Sequence, residues 1–187
     1  MTRSADHIPF MANPTPKDRA IVATLIFIAF GVIGAVVARN DLAFAWPPML
    51  FYAMLVWNDY YSIKHFSKII PPGKASQVII DIALVVLHFT SALLFGNPFL
   101  FAITITVLFI LAVLKYAGDL PSVKNSRALY RKVKIDALGA LISALTLAGM
   151  LIGYPWQATV AWTVIFVCAS IYVILINPLY QDAIGTS

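Results

Sequence analysis

Six long, predominantly apolar runs, at positions 20–38, 48–66, 76–95, 98–117, 133–152 and 156–176, leave this chain few ways to fold. Each holds about 20 residues, and a helix rising roughly 1.5 Å per residue crosses a ~30 Å hydrocarbon core in that length. The runs are continuous and do not alternate, which argues against a membrane β-barrel. Composition agrees. Of the 187 residues 61% are hydrophobic and 11% charged, whereas a soluble domain is roughly half apolar and about a quarter charged. Too few polar side chains exist to cover a surface facing water. The expected fold class is therefore all-α, a polytopic membrane protein with six transmembrane helices in one domain, residues 18–180. Residues 1–17, with Pro9, Pro14 and Pro16 and no helical period, read as a flexible cytoplasmic tail, and 181–187 as a short C-terminal one. The first run is too long for the apolar part of a signal peptide and is expected to stay in the membrane.

Orientation follows from Lys and Arg. Twelve of the 13 flank one side: Arg3, Lys17, Arg19, Lys64, Lys68, Lys74, Lys115, Lys124, Arg127, Arg131, Lys132 and Lys134. Arg39 alone falls on the other, so both termini are expected in the cytoplasm of a cell (inner) membrane. The isoelectric point of about 9.4 reads as a topology signal and as contact with anionic membrane lipids, not as nucleic-acid binding. The outer turns are short and each holds a proline, at Trp46-Pro47, Asn97-Pro98 and Tyr154-Pro155, while the inner connections are longer and charged. The helices are thus expected as three hairpins in series. Ile80-Asp81 and Ile135-Asp136 stand at similar distances before their turns, an echo that suggests internal repetition.

Small residues mark faces where helices approach closely in lipid. The fifth run offers Gly139, Ser143 and the pair Gly149–Gly153, and the first offers Gly31, Gly34 and Ala35. The partner of such a face is a helix of the same chain, a second copy in a homo-oligomer, or another subunit of a membrane complex. The single cysteine, Cys168, lies within an apolar run and reads as a small hydrophobe.

Ionisable groups inside a membrane are costly and each needs a reason. Asp81 stands seventeen residues before Pro98 and Lys115 seventeen after it, so a hairpin turning there brings the two to one depth as an ion pair. His88 lies two turns beyond Asp81 on the same face. With Thr90, Ser91, Thr104 and Thr106 nearby, that face has the makings of a proton or ion path. Asn58, Ser62 and His65 form one stripe of the second run, with Asp59 turned about 100° away. Lys64, Asp119 and Asp136 are expected nearer the surface.

Over four residues, Asn58-Asp59-Tyr60-Tyr61 resembles the first motif of UbiA-type prenyltransferases, in which an Asn-Asp-x-x-Asp cluster holds magnesium on a diphosphate. Ser62 replaces the second aspartate and no second cluster follows, so the resemblance supports neither that activity nor a metal. No cofactor is expected, because His65 and His88 lie at different depths and zinc or haem needs better-placed ligands.

The favoured reading is a channel or transporter for a small ion or solute, its polar path built from Asn58, Asp59, Asp81, His88 and Lys115. The alternatives are a non-catalytic membrane subunit or scaffold, and a membrane-embedded enzyme acting on lipid or peptide at the cytoplasmic face through Asp59 and Asp119.

Overall fold

The computed structural model describes residues 15–70, 75–123 and 127–179. Among them are six α-helices and no strand: α1 Pro16–Val37, α2 Leu42–Ile69, α3 Ala75–Leu93, α4 Pro98–Asp119, α5 Arg127–Leu151 and α6 Pro155–Ile171. A π-helical turn, Tyr172–Ile176, continues α6. By length and composition four segments are able to cross a membrane: Pro16–Val37, Pro98–Ser122, Arg127–Leu151 and Pro155–Ile176. The apolar part of α3, Gln77–Leu93, is shorter. In α2 the length of 28 residues suffices, but two prolines, Asn58, Asp59 and Lys64 lower its hydropathy.

Local chemistry sets the helix starts. Thr15 caps α1 by accepting from the Asp18 N–H, while the Asp18 carboxylate accepts from the Thr15 N–H, a reciprocal capping box followed by Pro16 at the first helical position. The Thr15 hydroxyl also donates to the Asp18 carboxylate. Residues 15–17 therefore belong to the capped helix and not to the tail expected over 1–17; residues 1–14 and 181–187 lie outside the described residues. Asn97 caps α4 through the Leu100 N–H, and Pro98 and Pro155 open α4 and α6.

The turn between the first two helices is not at Trp46-Pro47, where the sequence suggests it. The chain reverses in a short 3₁₀ turn, Arg39–Asp41, and α2 already runs through Pro47 and Pro48. Each proline removes one backbone donor from the helix. Thr163 of α6 donates its hydroxyl to the Pro47 carbonyl, pinning α2 to α6 at that level.

The hairpins α1–α2, α3–α4 and α5–α6 all pack, but the most extensive helix contact is between hairpins, α4 against α5, and α1 also packs on α3 and α2 on α6. The core is aromatic. Phe51 stacks on Phe166 and tilts against Trp162, with Tyr52, Phe95 and Phe101 closing the layer. The outward faces carry large aliphatic side chains, of which Leu25 and Val36 of α1 and Leu141 and Leu145 of α5 are mostly exposed. Such surfaces are tolerable only against lipid or another apolar partner.

Glycine roles differ from the pattern read in sequence. A methyl group at Gly34 would sit 2.1 Å from the Ala92 carbonyl oxygen, so α1 and α3 touch backbone to backbone there. At Gly139 it would meet the Phe109 ring at 2.9 Å. Of the pair Gly149–Gly153, Gly149 packs closely on α6, where a Cβ would lie 3.2 Å from the Ala158 methyl, whereas Gly153 follows α5 in a turn with φ of 102° and has no neighbour within 4 Å of where its Cβ would be. It serves the left-handed position after the helix, which only glycine adopts without strain.

Candidate functional site

α1, α2, α3 and α4 do not close on one another at one end of the bundle. They leave a cleft of about 640 Å³ whose mouth is ringed by Pro16, Arg19, Ile70 and Gln77. It narrows to Phe27, Leu84 and His88, about 12 Å from Arg19 by the rise of α1. Beyond those residues the aromatic layer around Tyr52, Phe95 and Phe101 fills the bundle, so the cleft is blind. Its walls carry Asp59, Ser62, Asp81, Lys115, Tyr116 and Asp119.

The floor is a pair. His88 is 3% exposed, and its ring stacks on Phe27 with centroids 4.2 Å apart. Nδ1 lies 2.8 Å from the Leu84 carbonyl oxygen and Nε2 lies 2.7 Å from Asp59 Oδ2. A carbonyl oxygen only accepts, so Nδ1 carries a hydrogen. A neutral imidazole then has none left for Nε2. The short bond to Asp59 therefore requires one further proton, held either as imidazolium beside carboxylate or as a carboxylic acid donating to the ring. Pair and proton belong together. Tyr52 supports this floor by donating its hydroxyl to the Phe27 carbonyl at 3.0 Å.

Higher on the wall, the Lys115 ammonium donates to Asp81, joining α4 to α3 as the hairpin arithmetic predicts. Lys115 also lies 5.6 Å from the Tyr116 ring, and Lys132 reaches the same ring at 5.5 Å. Aromatic faces attract cations, so Tyr116 sits between two ammonium groups. Asp119, expected near the surface, is buried at the end of α4.

Several sequence expectations are corrected. His88 pairs with Asp59 of α2, while Asp81, which shares its helix face, pairs with Lys115. The hydroxyls of Thr90, Ser91, Thr104 and Thr106 bond carbonyls of their own helices and form no row beside His88. Asn58, about 100° around α2 from Asp59, lines a different crevice together with residues of α5 and α6. Asp136 lies near one end of its apolar run but is enclosed by the protein: its Oδ1 accepts from Lys132 at 2.6 Å, and both side chains are buried. Their i,i+4 spacing is the signal the sequence carries, hidden because Lys132 lies just before the apolar run 133–152. The echo between Asp81 and Asp136 also stops at their partners, one across a hairpin and one along its own helix.

Among the described residues no group of three or more His, Cys, Asp or Glu side chains is placed to hold a metal ion. What the cleft offers is a confined polar space, a shared proton at its floor and an ion pair on its wall. Protein-family models, curated proteins and solved structures were all compared with this chain, and none matches it.

Proposed function

We propose that the chain crosses a cell membrane six times with both termini in the cytoplasm, and that it is a proton-coupled carrier for a small ion or polar solute. The observation that carries this reading is the His88–Asp59 pair, which needs one extra proton and lies at the blind end of a polar cleft. A through-pore would leave a continuous opening. A one-sided cleft that ends at a proton-holding pair is what a carrier presents when its site faces one side. On the positive-inside reading the mouth faces the cytoplasm, because Lys17, Arg19, Lys64 and Lys68 cluster at that end. Asp59, Asp81, His88 and Lys115 are the residues assigned to the path, with Ser62 and Tyr116 added by their place on the wall; Asn58 is removed from it.

The test uses the full chain in proteoliposomes holding a pH-sensitive dye, with an imposed solute gradient across a panel of alkali cations, halides and small organic solutes. Proton movement tied to one of these gradients is expected, and no movement above that of empty liposomes under any gradient overturns the carrier reading.

A second reading, a membrane-embedded enzyme acting on a lipid or peptide at the cytoplasmic face, is favoured by one fact: Asp59, Asp119 and His88 all line the same cleft. Paired carboxylates and an imidazole are acid–base equipment. Turnover of a membrane lipid by the purified protein, abolished by Asp119→Asn without any flux in the wild type, selects it.

A further inference from the structure

On the far side of α2 from the cleft, α5 and α6 diverge to leave a narrow crevice of about 70 Å³ with one open side. Its rim residues Leu138, Ile165 and Ala169 are exposed on the apolar outside of the bundle. Its walls are Phe109, Ile142, Trp162 and Phe166. Three polar side chains, Asn58, Asp136 and Ser170, interrupt this apolar lining. Asp136 Oδ2 and Ser170 Oγ are buried, belong to residues that line the crevice, and have no hydrogen-bond partner among the described residues. A buried orphan polar atom is costly, and native structures fill such positions.

Charge limits what fills this one. Lys132 already bonds Asp136 Oδ1 and neutralises it. A cation at Oδ2 would leave net positive charge in an apolar crevice, and an anion would face the carboxylate. A neutral donor is left. Shape limits it further. Asp136 and Ser170 lie toward the end of the crevice marked by Ile135 and Val173, while Trp162 and Ile142 lie toward the bundle middle. From Val173 to Trp162 the crevice runs about 16 Å along α6. A polar end near the membrane surface, an apolar slot running inward and a side open to the outside match an amphiphile lying in the cytoplasmic leaflet.

We propose that this crevice binds a neutral, hydroxyl-headed lipid, its head donating to Asp136 Oδ2 and bonding Ser170 Oγ, its chain lying along Trp162 and Phe166. The inference needs the membrane reading but stands whether or not the cleft transports anything.

The test places the full chain in phosphatidylcholine nanodiscs with a long-chain alcohol bearing a diazirine on its chain. Two control probes share that chain: the methyl ether, which accepts but cannot donate, and the fatty acid, which is anionic at neutral pH. The alcohol should label the Leu138 and Ile165 segments saturably, and unlabelled alcohol should compete. The ether and the acid should each label about tenfold less, as loss of a buried hydrogen bond to a charged group predicts. Ala169→Phe, on the exposed rim, should block labelling while leaving the fold intact. Ser170→Ala should weaken labelling a few-fold and also removes one orphan atom, so the variant should fold at least as well. Equal labelling by alcohol and ether overturns the proposal, as it would for a water-filled floor beneath ordinary annular lipid. So does labelling that never saturates, or labelling that survives Ala169→Phe.

Discussion

His88 and Asp59 share one proton across the α2–α3 interface, with Nε2 and Oδ2 2.7 Å apart and the other ring nitrogen committed to the Leu84 carbonyl. This follows from hydrogen-bond accounting alone, because both neighbours of the ring are acceptors. It yields a specific expectation. Imidazole ¹⁵N spectra of His-labelled protein should show the His88 ring with hydrogen on both nitrogens, or with Nε2 accepting from a protonated Asp59. A Nε2 that neither donates nor accepts contradicts the pairing. His88→Gln keeps a donor for Asp59 but cannot titrate. If the pair handles protons in transport, flux should vary between pH 5 and 8 in the wild type, where histidine ordinarily changes charge, and that variation should flatten in His88→Gln while folding is retained.

The two lysine–aspartate pairs should differ sharply in what they contribute. Lys132–Asp136 is fully buried, with side-chain exposures of 6% and 1%. Lys115–Asp81 opens on the cleft, and Asp81 is 52% exposed. Removing one partner of a buried pair costs about 3–5 kcal/mol, and an exposed one about 1 kcal/mol or less. Asp136→Asn should therefore lower detergent unfolding stability well beyond Asp81→Asn. In each case the second change, Lys132→Met or Lys115→Met, should recover much of the loss, because the stranded ammonium disappears with it. Equal losses for the two aspartates, or additive doubles, would show that burial does not rank these pairs.

Much of this architecture was legible in the sequence because its cause is local. Continuous apolar length gives the helices, and prolines at Pro98 and Pro155 mark where two of them begin. The Asp81–Lys115 pair was legible because a tight hairpin turns sequence spacing into depth. Asp59 with His88 was not, since α2 and α3 are joined through residues 71–74 and the spacing across that connection fixes neither depth nor rotation. Nor was Asn58, whose neighbour faces one polar space while it faces another: a 100° step decides that, and only packing sets the zero of rotation. Pro47 and Pro48 misled for a physical reason. Proline usually ends helices, yet here it is carried inside α2, with the Pro47 carbonyl bonded by Thr163 of α6.

Glycine substitutions separate close packing from turn geometry. At Gly34 a methyl group meets backbone of α3, which cannot yield as a side chain does. Gly34→Ala should force α1 from α3 and cost about 1–3 kcal/mol, the range for overpacking a tight contact. Gly149→Ala meets only the Ala158 methyl, at 3.2 Å, so α6 need shift only by a few tenths of an ångström, and the loss should be smaller than at Gly34. Gly153→Ala clashes with nothing but must hold φ of 102°, a strain of roughly 1 kcal/mol. Thermal unfolding in one detergent should show the largest loss at Gly34. A larger loss at Gly149 than at Gly34 would make Gly149 the tighter helix contact of the two.

The six crossings and the side on which the cleft opens rest on one further measurement. Replacing Cys168 with Ser first leaves a protein without cysteine, so each new thiol reports alone. Asn97, in the α3–α4 turn, and Ser122, after α4, are both exposed and lie at opposite ends of a 22-residue helix. At a rise of roughly 1.5 Å per residue that helix covers about 33 Å, enough to separate the two sites across a bilayer core. In intact cells a membrane-impermeant maleimide should label Asn97→Cys directly and reach Ser122→Cys only after the membrane is opened. Arg19→Cys, at the cleft mouth, should behave like Ser122→Cys, because the positive-inside rule puts both in the cytoplasm. Labelling of all three from outside would sink the membrane-spanning model. The reverse pattern, with Arg19→Cys and Ser122→Cys labelled first, would keep six crossings but turn the His88–Asp59 cleft to face outward, and a carrier would then load its proton from the other side.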